Sequence, residues 1–212
     1  MNVRAQRRAA VRERILRAAH DQVAQDGYAS AGVAALARRA GVATGSIYRY
    51  FPSKALLFAE VFHAAADREL AVIAAIAERR DRPAAERLEL AIEAFSRRAL
   101  AAPRLAFALM AEPVDPAVEV ARLQNKRAHR DVFARLLVEA RASGELPAGV
   151  EPYVAAAALV GALQEALIGS LAEGSGETLV ASLVTFALNA VGFSDLNLEQ
   201  RNSGNPRARA AR

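Results

Sequence analysis

The chain contains no cysteine. Disulfides, thiolate zinc sites and a cysteine nucleophile are therefore excluded. Histidine is scarce: His20, His63 and His129 stand far apart and read as solvated or half-buried rings, so no metal site is expected. Runs of β-branched residues are rare, which argues against strands. The arginine-rich start is not followed by an apolar run, so no secretory signal is read there. The most apolar stretch, Tyr153 to Leu171, is interrupted by Gln164 and Glu165. It reads as too short and too polar at its middle to span a membrane, and no membrane partner is expected. No carboxylate pair, nucleophile beside a base or glycine-rich phosphate loop stands out, so neither catalysis nor a cofactor is expected. A reducing, cytoplasmic location is the default.

What is present is apolar and helix-forming. Of 212 residues, 53% are hydrophobic, which is ample for a buried core and too apolar for a disordered chain. Charge is unevenly placed. Residues 1–54 hold ten basic and three acidic side chains, a net +7, whereas 55–212 are close to neutral at −2. A basic front quarter on a near-neutral body suits a polyanionic partner.

Apolar residues recur at helical spacing along nearly the whole chain, which predicts an all-α fold. A first helix is expected over about 7–25, with Val11, Ile15, Ala18, Ala19 and Val23 on one face. A second, about 32–40, is followed directly by Gly41, as a helix C-terminus prefers. A third covers about 44–50 and stops at Pro52; Ser53 then offers an N-cap to a long helix reaching about Arg80. Further helices are expected over about 83–101, from Pro103, over about 117–142, 152–173 and 177–191. Glu112-Pro113-Val114-Asp115-Pro116 and Ser143-Gly144-Glu145-Leu146-Pro147 read as breaks. Residues 194–212 are polar, without apolar periodicity, and are expected to be a disordered tail.

The second and third helices, joined by Gly41-Val42-Ala43, have helix-turn-helix spacing. Such a unit lets its second helix enter the DNA major groove. The third helix, TGSIYRY, suits that role. Gly45 removes a side chain where a helix must approach a sugar-phosphate wall. Thr44 and Ser46 offer short hydroxyls, and Tyr48 and Tyr50 offer phenol donors. Arg49 can fork onto guanine, or remain solvated. Lys54, at the first turn of the fourth helix, favours a phosphate. Ile47 and Phe51, four apart, are expected to pack inward, and one of the two tyrosines can do the same. Arg4, Arg7 and Arg8 form an N-terminal arm that either reaches a minor groove or phosphate or lies solvated.

Residues 27–57, GYASAGVAALARRAGVATGSIYRYFPSKALL, resemble the DNA-binding domain of TetR-family transcriptional regulators. The pattern is Gly27-Tyr28, Val33, Leu36-Ala37, Ala40-Gly41-Val42, Gly45, Ile47-Tyr48, Tyr50-Phe51, Ser53-Lys54 and Leu57. The resemblance implies a dimeric, all-helical protein, usually a repressor released from its operator by a small molecule. It carries DNA contacts onto Thr44, Gly45, Ser46, Tyr48, Arg49, Tyr50 and Lys54. The chain departs from the family at Ala31-Gly32, where a Thr-Thr or Thr-Ser pair is usual, leaving Ser30 as the substitute hydroxyl. It departs again at Ala43, often serine, leaving Thr44 to cap the recognition helix.

The chain is thus expected to divide into a helix-turn-helix domain over 1–54, a helical effector-binding and dimerisation domain over 55–193, and the tail. In the middle helices Phe62, Phe95, Phe107 and Met110 either line an effector pocket or form ordinary core; Gln124, Arg127 and Gln164 are polar groups able to orient a small apolar effector. The last two helices are apolar on more than one side. Val160, Leu163, Leu167, Leu179, Leu183 and Phe186 are expected at a homodimer interface, built as an intermolecular four-helix bundle. The leading functional expectation is a ligand-released repressor that binds a palindromic, double-stranded operator as a dimer. A constitutive or architectural DNA-binding protein without effector and, further off, an all-helical enzyme are the alternatives.

Overall fold

The computed structural model describes residues 3–173 and 177–193, the side chains of 171–173 and 177 excepted. These residues form nine helices and no strand: α1 Val3–Asp26, α2 Val33–Ala40, α3 Thr44–Tyr50, α4 Lys54–Ala77, α5 Ala84–Ala101, α6 Pro103–Met110, α7 Pro116–Ala142, α8 Pro152–Glu173 and α9 Glu177–Ala190. The all-α expectation holds. Boundaries fall within a few residues of those expected, save that α1 starts at Val3, so Arg4, Arg7 and Arg8 lie on a helix. The expected tail over 194–212 lies outside the described residues.

Internal contacts group the chain into two compact units. One holds the residues up to Glu69 together with Ala99–Arg127 and Leu171–Glu173; the other holds Leu70–Arg98, Ala128–Ser170 and the described residues from 177 on.

The first unit is organised round one apolar cluster. Ile15, Ala19 and Val23 of α1, Leu36 of α2, Ile47 of α3, Phe51, and Leu57, Phe58 and Phe62 of α4 are all buried in it. Each large side chain there contributes about 1.5–3 kcal/mol of transfer free energy. That burial holds two helices too short to stand alone in water: α2 has eight residues and α3 seven. The turn between them depends on Gly41. Its φ of 64° is left-handed, and it lets Gly41 and Val42 return N–H groups to the carbonyls of Arg38 and Ala37. Ser53 caps α4 as expected, its Oγ accepting from the Leu56 N–H at 3.1 Å.

In the second unit, Leu88 and Ile92 of α5, Phe133 and Leu137 of α7, Leu163 and Leu167 of α8, and Ala187 of α9 are buried. The Ser143–Pro147 break has a task here. Glu145 accepts from the Ala84 N–H at 2.6 Å and so caps α5. On the same unit, Glu139 receives Arg80 at 2.7 Å and the buried Arg87 at 3.1 Å. These two guanidinium donors hold its carboxyl down at about 2.

The reading of Tyr153–Leu171 as too short and too polar for a membrane is corrected. Pro152–Ser170 forms a continuous helical stretch of 19 residues, long and apolar enough by length and composition to cross a membrane. The polar pair Gln164-Glu165 does not interrupt it, because a helix of that length carries two adjacent polar groups on one turn.

Candidate nucleic-acid interface

The recognition helix shows two opposite faces. Ile47, with Phe51 just beyond the helix end, is buried in the core, each only 1% exposed. Thr44, Gly45, Tyr48 and Arg49 are exposed, and Ser46 is half-buried. Tyr50 is the phenol that packs inward, half-buried against the core, while Tyr48 is 49% exposed. A Cβ built on Gly45 meets nothing within 4 Å. The fold therefore places no demand for glycine there.

Thr44 does not cap this helix, contrary to expectation. The N-cap position is Ala43, in extended conformation and without a side-chain hydrogen bond. The reason is register: Thr44 is already the first helical residue, so its hydroxyl cannot turn back to the N–H groups of the next turn. Helix α2 likewise starts from Gly32 with no side-chain cap. Ser30 is exposed in the preceding turn. The starts of both helices thus leave backbone N–H groups without a side-chain acceptor, an arrangement receptive to an anion.

Lys54 opens α4 half-buried. Its ammonium lies 5.0 Å from the Tyr28 ring centroid and 5.7 Å from that of Phe58. The two π-faces fix the lysine stem and bias its charge. Tyr28 is itself tied down. Its ring meets Phe58 edge-on at 5.2 Å and Phe62 at 6.1 Å. Its hydroxyl donates to Asp115, and its backbone N–H donates to Glu112 at 2.8 Å. Burial, then the hydrogen bond to Asp115, hold the phenol well above the ordinary tyrosine range.

Sequence reasoning missed Glu112 and Asp115. The EPVDP segment reads as a mere break, yet it docks on the turn between α1 and α2. Arg122 steadies the segment, donating to the carbonyls of Ala108 (3.0 Å) and Glu112 and to the Glu119 carboxylate (2.8 Å). Arg104 of α6 adds a bond to the Gln25 carbonyl at the end of α1. The available signal was a glutamate and an aspartate three apart, each directly followed by a proline, which biases both acids to extended backbone.

The seven residues expected to contact an effector divide between the units. In the first, Phe62 is fully buried core, with Asn125 donating to its carbonyl at 3.4 Å; Met110 is half-buried, and Phe107, Gln124 and Arg127 are exposed. In the second, Phe95 is half-buried, edge-on to the His129 ring at 5.6 Å, and Gln164 is half-buried. Of the residues expected at a dimer interface, Val160, Leu163, Leu167 and Leu183 are buried in the single chain. Leu179 is half-buried and Phe186 is 50% exposed. Among the described residues no group of three His, Cys, Asp or Glu could hold a metal ion.

A basic helix-turn-helix that exposes hydroxyls, a phenol and a guanidinium on its second helix is a DNA-binding domain. Residues 15–61 match the model of the bacterial regulatory proteins of the tetR family. Over those residues the chain has a DNA-binding domain of the kind that model describes, as the resemblance implies. No curated protein matches the sequence. Among solved structures, a TetR transcription regulator from Haloarcula marismortui is 19% identical with a TM-score of 0.74, over 87% of this chain and 97% of that one. The regulator FadR from Bacillus subtilis, solved with stearoyl-CoA, is 22% identical with a TM-score of 0.73, over 85% and 98%. RolR, solved with its ligand resorcinol, is 20% identical with a TM-score of 0.69, over 95% and 97%. At these identities the likeness speaks for the fold.

Proposed function

We propose that this protein is a ligand-released repressor that binds a palindromic operator as a homodimer in the cytoplasm. The observation that carries the DNA half is the face of α3. Thr44, Gly45, Tyr48 and Arg49 are exposed, and the fold gives none of them a structural task. In this reading residues 1–54 read DNA: Arg49 takes a base edge, Tyr48, Thr44 and Ser46 take phosphate or base edges, and Ser30 and Lys54 take phosphates. Gly45 lets the helix approach the backbone, and Tyr50 supports the end of the helix.

Residues 55–193 take the effector and the twin. The effector is a small molecule with a substantial apolar part, received either in the first unit, by Phe62, Phe107 and Met110 with Gln124 and Arg127 as orienting groups, or in the second, by Phe95 with Gln164 as the orienting group. Two relatives of the same fold were solved with an acyl-CoA and with a dihydroxybenzene, both partly apolar. For the twin, α8 and α9 leave Tyr153, Val154 and Phe186 strongly exposed, beside the exposed Ala157, Ala158 and Ala181. Large apolar groups flanked by alanine suit close helix packing against a second copy. One recognition helix of seven residues reads few bases, and pairing two of them doubles the reading.

The effector can shift the DNA-binding equilibrium only by its difference in affinity for the two states. Release by a hundredfold needs about 2.7 kcal/mol of coupling, and operator must then weaken effector binding by the same factor. The test selects bound fragments from random duplex DNA, screens small molecules for release, and titrates the effector with and without operator. Equal effector affinity in both titrations overturns ligand-released repression and leaves a constitutive DNA binder.

A further inference from the structure

The family match begins at Ile15, whereas α1 begins at Val3. The residues from Val3 to Arg14 therefore add roughly 18 Å of helix ahead of the matched domain. They carry five arginines and one acid, Glu13. Arg12 is engaged by Glu60. Arg4, Arg7, Arg8 and Val11 recur at helical spacing and so share one face. That face and α3 enclose an open groove of about 920 Å³, lined by Arg4, Arg7, Arg8, Val11, Arg49 and Tyr50.

Among the described residues no carboxylate lines this groove. The Arg8 guanidinium sits 5.9 Å over the Tyr50 ring, which orients it along the wall. Arg7 and Arg49 form no ion pair among the described residues. Locally the arrangement is unfavourable. Like charges three and four apart repel along a helix, and basic residues in a first turn oppose the macrodipole, each by a few tenths of a kcal/mol or more. The first turn of α1 holds no acidic residue to offset them. Basic side chains that oppose one another and the macrodipole while facing one open groove point to an outside ligand, here a polyanion.

From this geometry we infer a second phosphate-binding track. The groove takes the sugar-phosphate backbone of the DNA strand that flanks the bases reached by α3. Arg4 to Val11 spans roughly 10 Å along the helix, the axial length of about three phosphates on one strand. The groove is open at its side, as a continuous strand requires. Arg49 stands at the junction, with its helix on the bases and its charge on the track. The inference rests on the DNA-binding reading.

The experiment uses the full chain, a selected operator, and the triple variant Arg4→Ala, Arg7→Ala, Arg8→Ala, with the single Arg7→Ala beside it. All three arginines are exposed, so the fold is expected to persist, checked by thermal melting. At about 0.9 per phosphate, the slope of log K against log salt should flatten by about 2–3 per subunit in the triple variant and by about one in Arg7→Ala, with base preference unchanged. Trimming the DNA flanks should weaken the wild type and leave the triple variant unmoved. Equal slopes and equal flank dependence in the two proteins overturn the track. Competition by inorganic tripolyphosphate that depends on these arginines, with no effect of the flanks, assigns the groove to a soluble polyanion and also overturns it. A wild type that binds no duplex at all defeats the DNA reading itself, and the track with it.

Discussion

The Glu112 carboxylate and the Tyr28 backbone meet across 84 residues of sequence. Oε2 accepts from the Tyr28 N–H at 2.8 Å and Oε1 accepts from the Ala29 N–H at 2.9 Å. Gly27 makes the approach possible: its φ is +79°, and a Cβ there would stand 3.3 Å from Oε1. One acidic side chain from the α6–α7 loop thus closes the entry to the helix-turn-helix. Glu112→Ala should cost about 1–3 kcal/mol, because a buried N–H loses its acceptor. Glu112→Gln, which keeps one acceptor oxygen, should cost about half as much. Urea unfolding measures both, and a loss below about 0.5 kcal/mol for the alanine variant would reduce the clamp to a bystander.

Tyr28 gives the domain a limit at high pH. Its phenol is held neutral in the folded state well beyond the ordinary range, while the unfolded chain loses that proton near pH 10. The native state then binds more protons than the unfolded one, so stability must fall as pH rises above about 10. Tyr28→Phe should lose about 1 kcal/mol at neutral pH, the hydrogen bond to Asp115, and show a shallower decline between pH 10 and 11.5. Parallel declines in the two proteins would refute the linkage.

Glu139 works at the opposite end. Its carboxyl is depressed to about 2, so the stability it contributes is present above the unfolded carboxylate range and is lost as pH falls from about 4.5 towards 2. Glu139→Gln should cost about 1–2 kcal/mol at pH 7. The penalty is attributed chiefly to Arg87, left buried with the Ala77 carbonyl as its remaining acceptor, and is discounted for the part-exposed carboxylate. The difference should shrink as pH falls from about 4.5 towards 2 and disappear only below that, where the Glu139 carboxyl is protonated in the folded state too. Chemical unfolding at pH 7, 4 and 2.5 checks the trend.

Gly45 separates folding from function. Its exposed site is empty, so Gly45→Ala should stabilise the protein by up to about 1 kcal/mol through helix propensity. The same methyl should lower operator affinity if the helix backbone approaches the DNA closely. Melting temperature and operator affinity should therefore move in opposite senses. A variant that is both more stable and equally tight on DNA would remove close approach as the reason for this glycine.

Phe186 tests the proposed twin. It is half-exposed on α9, so Phe186→Glu should leave the single chain folded while placing two charges in a dimer interface. The expected result is a monomer by light scattering, retained helicity, and operator binding weakened by at least tenfold. A dimer that persists unchanged would move the interface off this stripe.

Helix positions were legible because their determinants are local. Gly41, Pro52, Ser53 and Pro103 punctuate the chain through backbone geometry alone, and the spacing of Ile15, Ala19 and Val23 needs only the helical period. The inward pair Ile47 and Phe51 follows from the same period. Side chains whose surroundings come from distant sequence were not legible. Nothing near Tyr28 announces Asp115, and nothing near Glu112 announces the N–H groups it caps. The inward choice of Tyr50 over Tyr48 depends on which face of a seven-residue helix meets the core. The cap of α3 was misplaced because a one-residue shift of register decides whether Thr44 stands before the helix or in it. Composition and periodicity determined that this chain is helical, basic at its front and built around a helix-turn-helix. Only the tertiary structure decided that an acidic loop clamps that motif and that three arginines of α1 share a groove with Arg49, because hydrogen bonds and charge clusters between remote segments exist only once packing has brought them together.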